Sequence, residues 1–90
     1  MERIIAIAWC NRSTKLVITR PGFNSHQAVA DGADSLLHVT TAHKSWQKGF
    51  FTNLGRFVDR REAMQIARAA DQLKPSVKDG DIELFSDHLR

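Results

Sequence analysis

The chain has one cysteine, Cys10, so it has no internal disulfide and no thiolate cluster to hold a metal. It also has no long hydrophobic run. The longest apolar stretch, Ile4 to Cys10, is far short of the roughly 20 residues a helix needs to cross a bilayer. A basic-then-apolar leader with a small-residue cleavage site is missing, which reads as a cytoplasmic chain. An acidic excess is missing as well. Thirteen basic residues stand against 10 acidic ones, a net charge of +3, which excludes a mimic of DNA and permits an anionic partner without demanding one. That balance is too mild for charge alone to mark a nucleic-acid protein. No nucleophile elbow, Walker loop, zinc ligand set or carboxylate pair is visible, so neither an enzyme nor a cofactor is expected. His38 and His43 have no ligand set near them, and Cys10 has no histidine at a telling spacing.

What is present fits one globular domain, residues 1–90, with 42% apolar and 26% charged residues. A chain of this length buries only about 60–65% of its unfolded surface. With disulfides and structural metals gone as staples, association of copies is the common remaining one, so a homo-oligomer is expected.

Ile4, Ile5, Ile7 and Trp9 predict a strand over Arg3–Cys10, followed by a polar turn at Asn11–Thr14 and a second strand over Lys15–Thr19. The short gap makes an antiparallel hairpin, and apolar residues on both faces predict that the first strand is buried on both sides. Arg20-Pro21-Gly22 ends the hairpin. Asn24 or Ser25 caps a helix carrying Val29, Ala33, Leu36 and Leu37. Gly32 leaves two readings open there: a helix that runs through, or one that stops near Asp31 with a short strand over Leu36–Thr41. His43 to Lys48 is polar apart from Trp46. A short strand follows at Gly49–Thr52, a turn at Asn53–Gly55 and extended chain at Arg56–Val58. Asp59 and Glu62, at capping-box spacing, open the clearest helix. Its inward stripe is Ala63, Ile66, Ala67 and Ala70, broadened by Met64, and it ends near Leu73 ahead of Pro75. Ile82–Phe85 reads as one more short strand. The fold class is therefore α+β: a small antiparallel sheet, an N-terminal hairpin plus short strands, packed by two helices.

The chemistry concentrates in Gly49-Phe50-Phe51-Thr52-Asn53-Leu54-Gly55-Arg56-Phe57-Val58-Asp59-Arg60. Phe50, Phe51, Phe57 or Trp46 can stack on a base, worth about 1–3 kcal/mol per base. Arg56 and Arg60 can each clasp a phosphate with a planar fork. Thr52 and Asn53 can bond ribose hydroxyls or backbone, and Gly49 and Gly55 let main-chain amides approach closely. Arg60 and Arg61 sit in the first turn of a helix, where the macrodipole disfavours cations unless an anion is near. Asp59, as the cap, offers the opposing reading of a local ion pair. Phe50 and Phe57 also read as core, Trp46 as interface or packing, and Lys44 and Lys48 as a solvated face. Leu84, Phe85 and Leu89 read as packing the tail onto the body or a partner.

The motif resembles a family of small bacteriophage proteins: glycine-phenylalanine, a turn, glycine-arginine-phenylalanine, then aspartate-arginine opening an alanine-rich helix. The tail Leu84-Phe85-Ser86-Asp87-His88-Leu89 is similar to the leucine-aromatic-serine-acidic-acidic-leucine close of that family. The group resembles the first Thoeris anti-defence family, whose members are sponges that hold cyclic ADP-ribose signals without cleaving them. The resemblance implies capture of a cyclic nucleotide signal in the host cytoplasm and a phosphate-recognising pocket at or near a subunit junction. It also adds Arg20 and His26 to the ligand-binding set of Trp46, Phe50, Thr52, Asn53, Arg56, Phe57 and Arg60. At the front the chain departs from the pattern of arginine-histidine-aromatic, reading Arg20-Pro21-Gly22-Phe23-Asn24-Ser25-His26. By itself, His26 reads as a surface or hydrogen-bonding residue. The alternative function is an anti-CRISPR-type inhibitor or another nucleic-acid- or protein-binding phage protein, which the basic middle with interleaved aromatics would also serve.

Overall fold

β-Branched and aromatic residues crowd the start of the chain. In the computed structural model, which describes residues 1–23, 26 and 45–90, they form β1 (Ile4–Asn11). The other elements are β2 (Val17–Pro21), β3 (Trp46–Thr52), β4 (Phe57–Val58), α1 (Arg60–Ala69) and a 3-10 turn at Ser86–His88. The strands form one sheet in the order β2-β1-β3-β4, each pair antiparallel. With α1 this is the α+β class the sequence predicts. The N-terminal helix and the alternative strand at Leu36–Thr41 lie outside the described residues. No helix among the described residues is long and apolar enough to cross a membrane.

The β1–β2 turn is set by Asn11, whose side-chain oxygen accepts from Ser13 N–H (2.9 Å) and Thr14 N–H (3.1 Å). Lys15 takes a left-handed φ of 63° and donates its N–H to the Asn11 carbonyl. An extended run cannot include that φ, so β2 starts at Val17 rather than at Lys15.

Central β1 is buried on both faces, with Ala6, Ile7, Ala8 and Trp9 at most 7% exposed. Opposite β3 its register shifts between Ile4 and Ala6, which pair with Thr52 and Phe51. The extra residue, Ile5, is 44% exposed. This bulge rephases the strand, so that Ile4 and Ile7, three residues apart, share one face with Phe50 and Thr52. The core then joins Ile4, Ile7, Trp9, Phe50 and Val58 of the sheet to Ala63, Met64 and Ala67 of α1 and to Leu84 and Leu89 of the tail.

Three further differences from the sequence reading involve long-range contacts. β3 begins at Trp46 rather than Gly49, since Trp46, Gln47 and Lys48 pair with Asn11, Cys10 and Trp9. α1 ends at Ala69 rather than near Leu73. Asp71 is left-handed (φ 55°), and Asp71 N–H and Gln72 N–H close back on the carbonyls of Arg68 and Ala67. Gln72 is thereby freed for Ile4, donating to its carbonyl and accepting from its N–H, both at 2.8 Å. Ile82–Phe85 is not a strand. Leu84 is instead plugged into the core, and its N–H donates to the Arg60 carbonyl at 2.9 Å.

Candidate anion-binding groove

Gly55, at φ 82°, makes the tight β3–β4 turn, closed by Thr52 N–H on the Arg56 carbonyl. The turn sets Arg56 against Glu2, to which it donates through Nε and Nη2, both at 2.6 Å. Its Nη1 lies 2.7 Å from a Glu62 oxygen. Those two carboxylates raise the Arg56 pKa above its ordinary value, Glu2 contributing most. Arg56, followed by Thr52, holds the Glu2 carboxyl below its own. The Arg56 fork is therefore engaged by two carboxylates, and nothing in this geometry favours its expected role as a phosphate clasp. The expected capping box is half formed: Asp59 caps the Glu62 N–H at 2.8 Å, while the Glu62 side chain turns to Arg56.

Other predicted ligand contacts also have structural partners. Thr52 is fully buried and donates its hydroxyl to Glu2 at 2.7 Å. Asn53 accepts from Arg3 N–H and donates to the Met1 carbonyl, so it straps the N-terminal residues to the turn. Phe50 is 0% exposed, lying between its register partners Ile7 and Val58 with the His26 ring edge-on. No ring face is left there for a ligand. Phe57 is half-buried over Gly49, where a Cβ would strike its ring and the Val58 carbonyl oxygen. Gly49 therefore makes room for Phe57, not for a guest. Arg20 stands opposite Ile7 on β2 and donates to the Thr19 carbonyl.

His26, 4% exposed, is part of the core and not an open ligand contact. Its Nε2 donates to the Gly49 carbonyl at 2.7 Å, and its ring meets Trp9 and Phe50 edge-on. Burial pushes its pKa below the usual value. The Gly49 carbonyl opposes that shift, and the charges of Arg60 and Lys48 add to it.

Two members of the predicted set, Trp46 and Arg60, line one groove of about 400 Å³. Trp46 and Lys48 alternate on β3 and so share a face. Arg12 comes from the β1–β2 turn, which Arg12 N–H ties to the Ser45 carbonyl. Arg60 and Arg61 open α1, and Glu83 closes the groove from the tail. Among the described residues none of Arg12, Lys48, Arg60 or Arg61 forms an ion pair. Arg60 is half-buried. Its guanidinium carbon lies 4.7 Å from the centre of the Phe85 ring, and its buried Nε–H has no hydrogen-bond partner among the described residues. Burial lowers its pKa, and the Glu83 charge opposes the shift. A larger cavity of about 590 Å³ lies between the start of β1 and the C-terminus, but it holds none of the predicted residues, and its Arg90 is paired with Asp71.

Sequence reasoning missed Arg12, Lys48 and Glu83 as groove residues. Lys48 was within reach, because extending the strand back to Trp46 puts it two residues from that ring. Arg12 and Glu83 arrive through tertiary contacts that no local pattern announces. The groove offers four cations, one flat ring and two carboxylates, Asp59 and Glu83, so cations outnumber acids and it suits an anion joined to a planar group. Among the described residues no His, Cys, Asp and Glu group could hold a metal.

Residues 3–89 match the family described as phage T4 y16D protein. Comparison with curated proteins and with solved structures returned no match.

Proposed function

The chain belongs to the phage T4 y16D protein family, and from that premise we propose that it is a counter-defence protein that captures a small cyclic nucleotide-type signal in the groove beside Arg60. One observation carries the reading. Arg60 is a desolvated cation with no counter-ion among the described residues, set beside Trp46 and three further unpaired cations. A buried N–H without a partner costs about 1–3 kcal/mol. An anion in the groove offsets the charge that desolvates with it, and charge-assisted bonds to phosphate are about twice as strong as neutral ones. Trp46 supplies the stacking face. The volume of about 400 Å³ falls within the range of small-molecule sites.

Capture is stoichiometric and takes place in the host cytoplasm. It requires affinity and abundance, not turnover, and uses no cofactor. A second copy of the chain covers the open mouth and excludes water. The test is to incubate the protein with cyclic ADP-ribose isomers and cyclic oligonucleotides, wash, denature, and identify what is released by mass spectrometry. Intact ligand from the native chain and none from Arg60→Ala is expected. Recovery of cleaved products, or of nothing from either protein, contradicts the proposal. The exposed cations Arg12, Lys48 and Arg61 beside Trp46 favour a second reading, a single-stranded nucleic-acid binder. Glu83 within the same groove weighs against it, since a carboxylate repels a continuous phosphate chain.

A further inference from the structure

The tail around Leu84-Phe85-Ser86-Asp87-His88-Leu89 has a shape that its burial pattern does not explain. Leu84 and Leu89 are the anchors, at 0% and 4% exposure. Phe85, between them, is 43% exposed, so it contributes little to the core. It is nevertheless fixed at three points. Its N–H donates to His88 Nδ1 at 3.1 Å, its ring meets the His88 ring edge-on at 5.6 Å, and its face lies under the Arg60 guanidinium at 4.7 Å. The preceding residue holds the other end of the same arginine, since Leu84 N–H donates to the Arg60 carbonyl. The tail thus grips Arg60 by its main chain and by its side chain at once.

We infer that Phe85 is a positioning residue, which fixes the Arg60 guanidinium for a phosphoryl group in the groove. The inference rests on the reading of that groove as a nucleotide site. A long arginine side chain loses rotamer freedom whenever it binds, and a ring that already holds it flat removes much of that cost before the ligand arrives. Stacking suits this task better than a carboxylate partner does. A carboxylate would fix the guanidinium but neutralise it, as Glu2 and Glu62 do at Arg56. A ring fixes it and leaves its charge and N–H groups for the guest.

The experiment compares the native full chain with Phe85→Leu and Phe85→Trp. Calorimetry with cyclic ADP-ribose and with inorganic pyrophosphate is run beside thermal melts. Phe85→Leu is expected to weaken binding roughly three- to tenfold while the melt stays near that of the native chain. Phe85→Trp keeps the native affinity, because its ring can hold the guanidinium as well. In NMR spectra without ligand, the Arg60 δ-methylene protons are shifted upfield by the ring and move back in Phe85→Leu. Should Phe85→Leu prove unfolded, Phe85→Met takes its place. Native-level affinity in Phe85→Leu, an affinity in Phe85→Trp no better than in Phe85→Leu, or Arg60 protons that ignore the substitution would overturn the inference. If the native chain takes up neither probe, the groove reading fails first; the proton shifts still report whether Phe85 holds Arg60.

Discussion

Arg56 and Arg60 stand four residues apart and carry the same charge, yet their neighbours give them different work. Arg56 is clasped by Glu2 and Glu62, whereas Arg60 has a ring beneath it and, among the described residues, no ion pair. Arg56→Ala is expected to lower thermal stability, because it releases the Glu2 strap, and to leave ligand affinity unchanged. Arg60→Ala is expected to do the reverse, abolishing binding with little change in the melt. Paired melts and titrations of the two variants check this. Acid behaviour belongs to this scale too. The folded-state pKa of His26 lies below its ordinary 6.5, so the unfolded chain takes up that proton first, and stability declines as pH drops below about 6.5. The folded-state pKa of Glu2 lies below 4.5, so its contribution is present above that pH and is lost as pH falls further. Urea titrations from pH 7.5 to 3.5 should show two stages of loss. His26→Gln, which keeps a donor for the Gly49 carbonyl, should remove the first and retain the second.

Pairing and closure govern the elements. β4 is only two residues long, and Phe57 can lie across β3 only because position 49 has no side chain. Gly49→Ala drives a Cβ into backbone and ring together, so a loss of about 1–3 kcal/mol or more is expected, read as a lower urea midpoint. The local motif around this hairpin was legible in the sequence: the turn at Asn53–Gly55, the Asp59 cap and the Ala63–Ala67 stripe all depend on neighbours within four residues. The use made of its glycines and rings was not legible, because a phenylalanine beside a turn is written the same way whether it faces a core or a ligand. Contacts distant in the chain fixed the rest. Gln72 reaching Ile4 shortened α1, β1 recruited Trp46–Lys48 into β3, and the buried Leu84 turned an expected strand into an anchor. Of the residues that line the groove, Trp46 and Arg60 are the two that belong to the ligand-binding set expected from the sequence. Arg12, Lys48 and Glu83 join them only when the hairpin turn, β3 and the tail are folded together.

Across the whole molecule, the modest net charge of +3 conceals uneven pairing. Several cations are matched to acids around the periphery, at Arg56, Arg68 and Arg90, whereas those of the groove have no ion pair among the described residues. A small nucleotide, as proposed, would present one or two phosphates there. Its affinity should therefore fall gently with salt, with a log–log slope of about one to two, whereas a bound oligonucleotide would fall much more steeply. Binding isotherms between 50 and 300 mM salt, roughly the range over which such slopes are read, distinguish the two. At the centre stands Arg60, without an ion pair among the described residues and proposed to receive a small anion. The most direct test is calorimetric titration of the native chain and Arg60→Ala with cyclic ADP-ribose isomers. Saturable binding by the native chain, lost in a folded Arg60→Ala, is the predicted result. Equal binding by both proteins, or none by the native chain with any cyclic nucleotide, would contradict it.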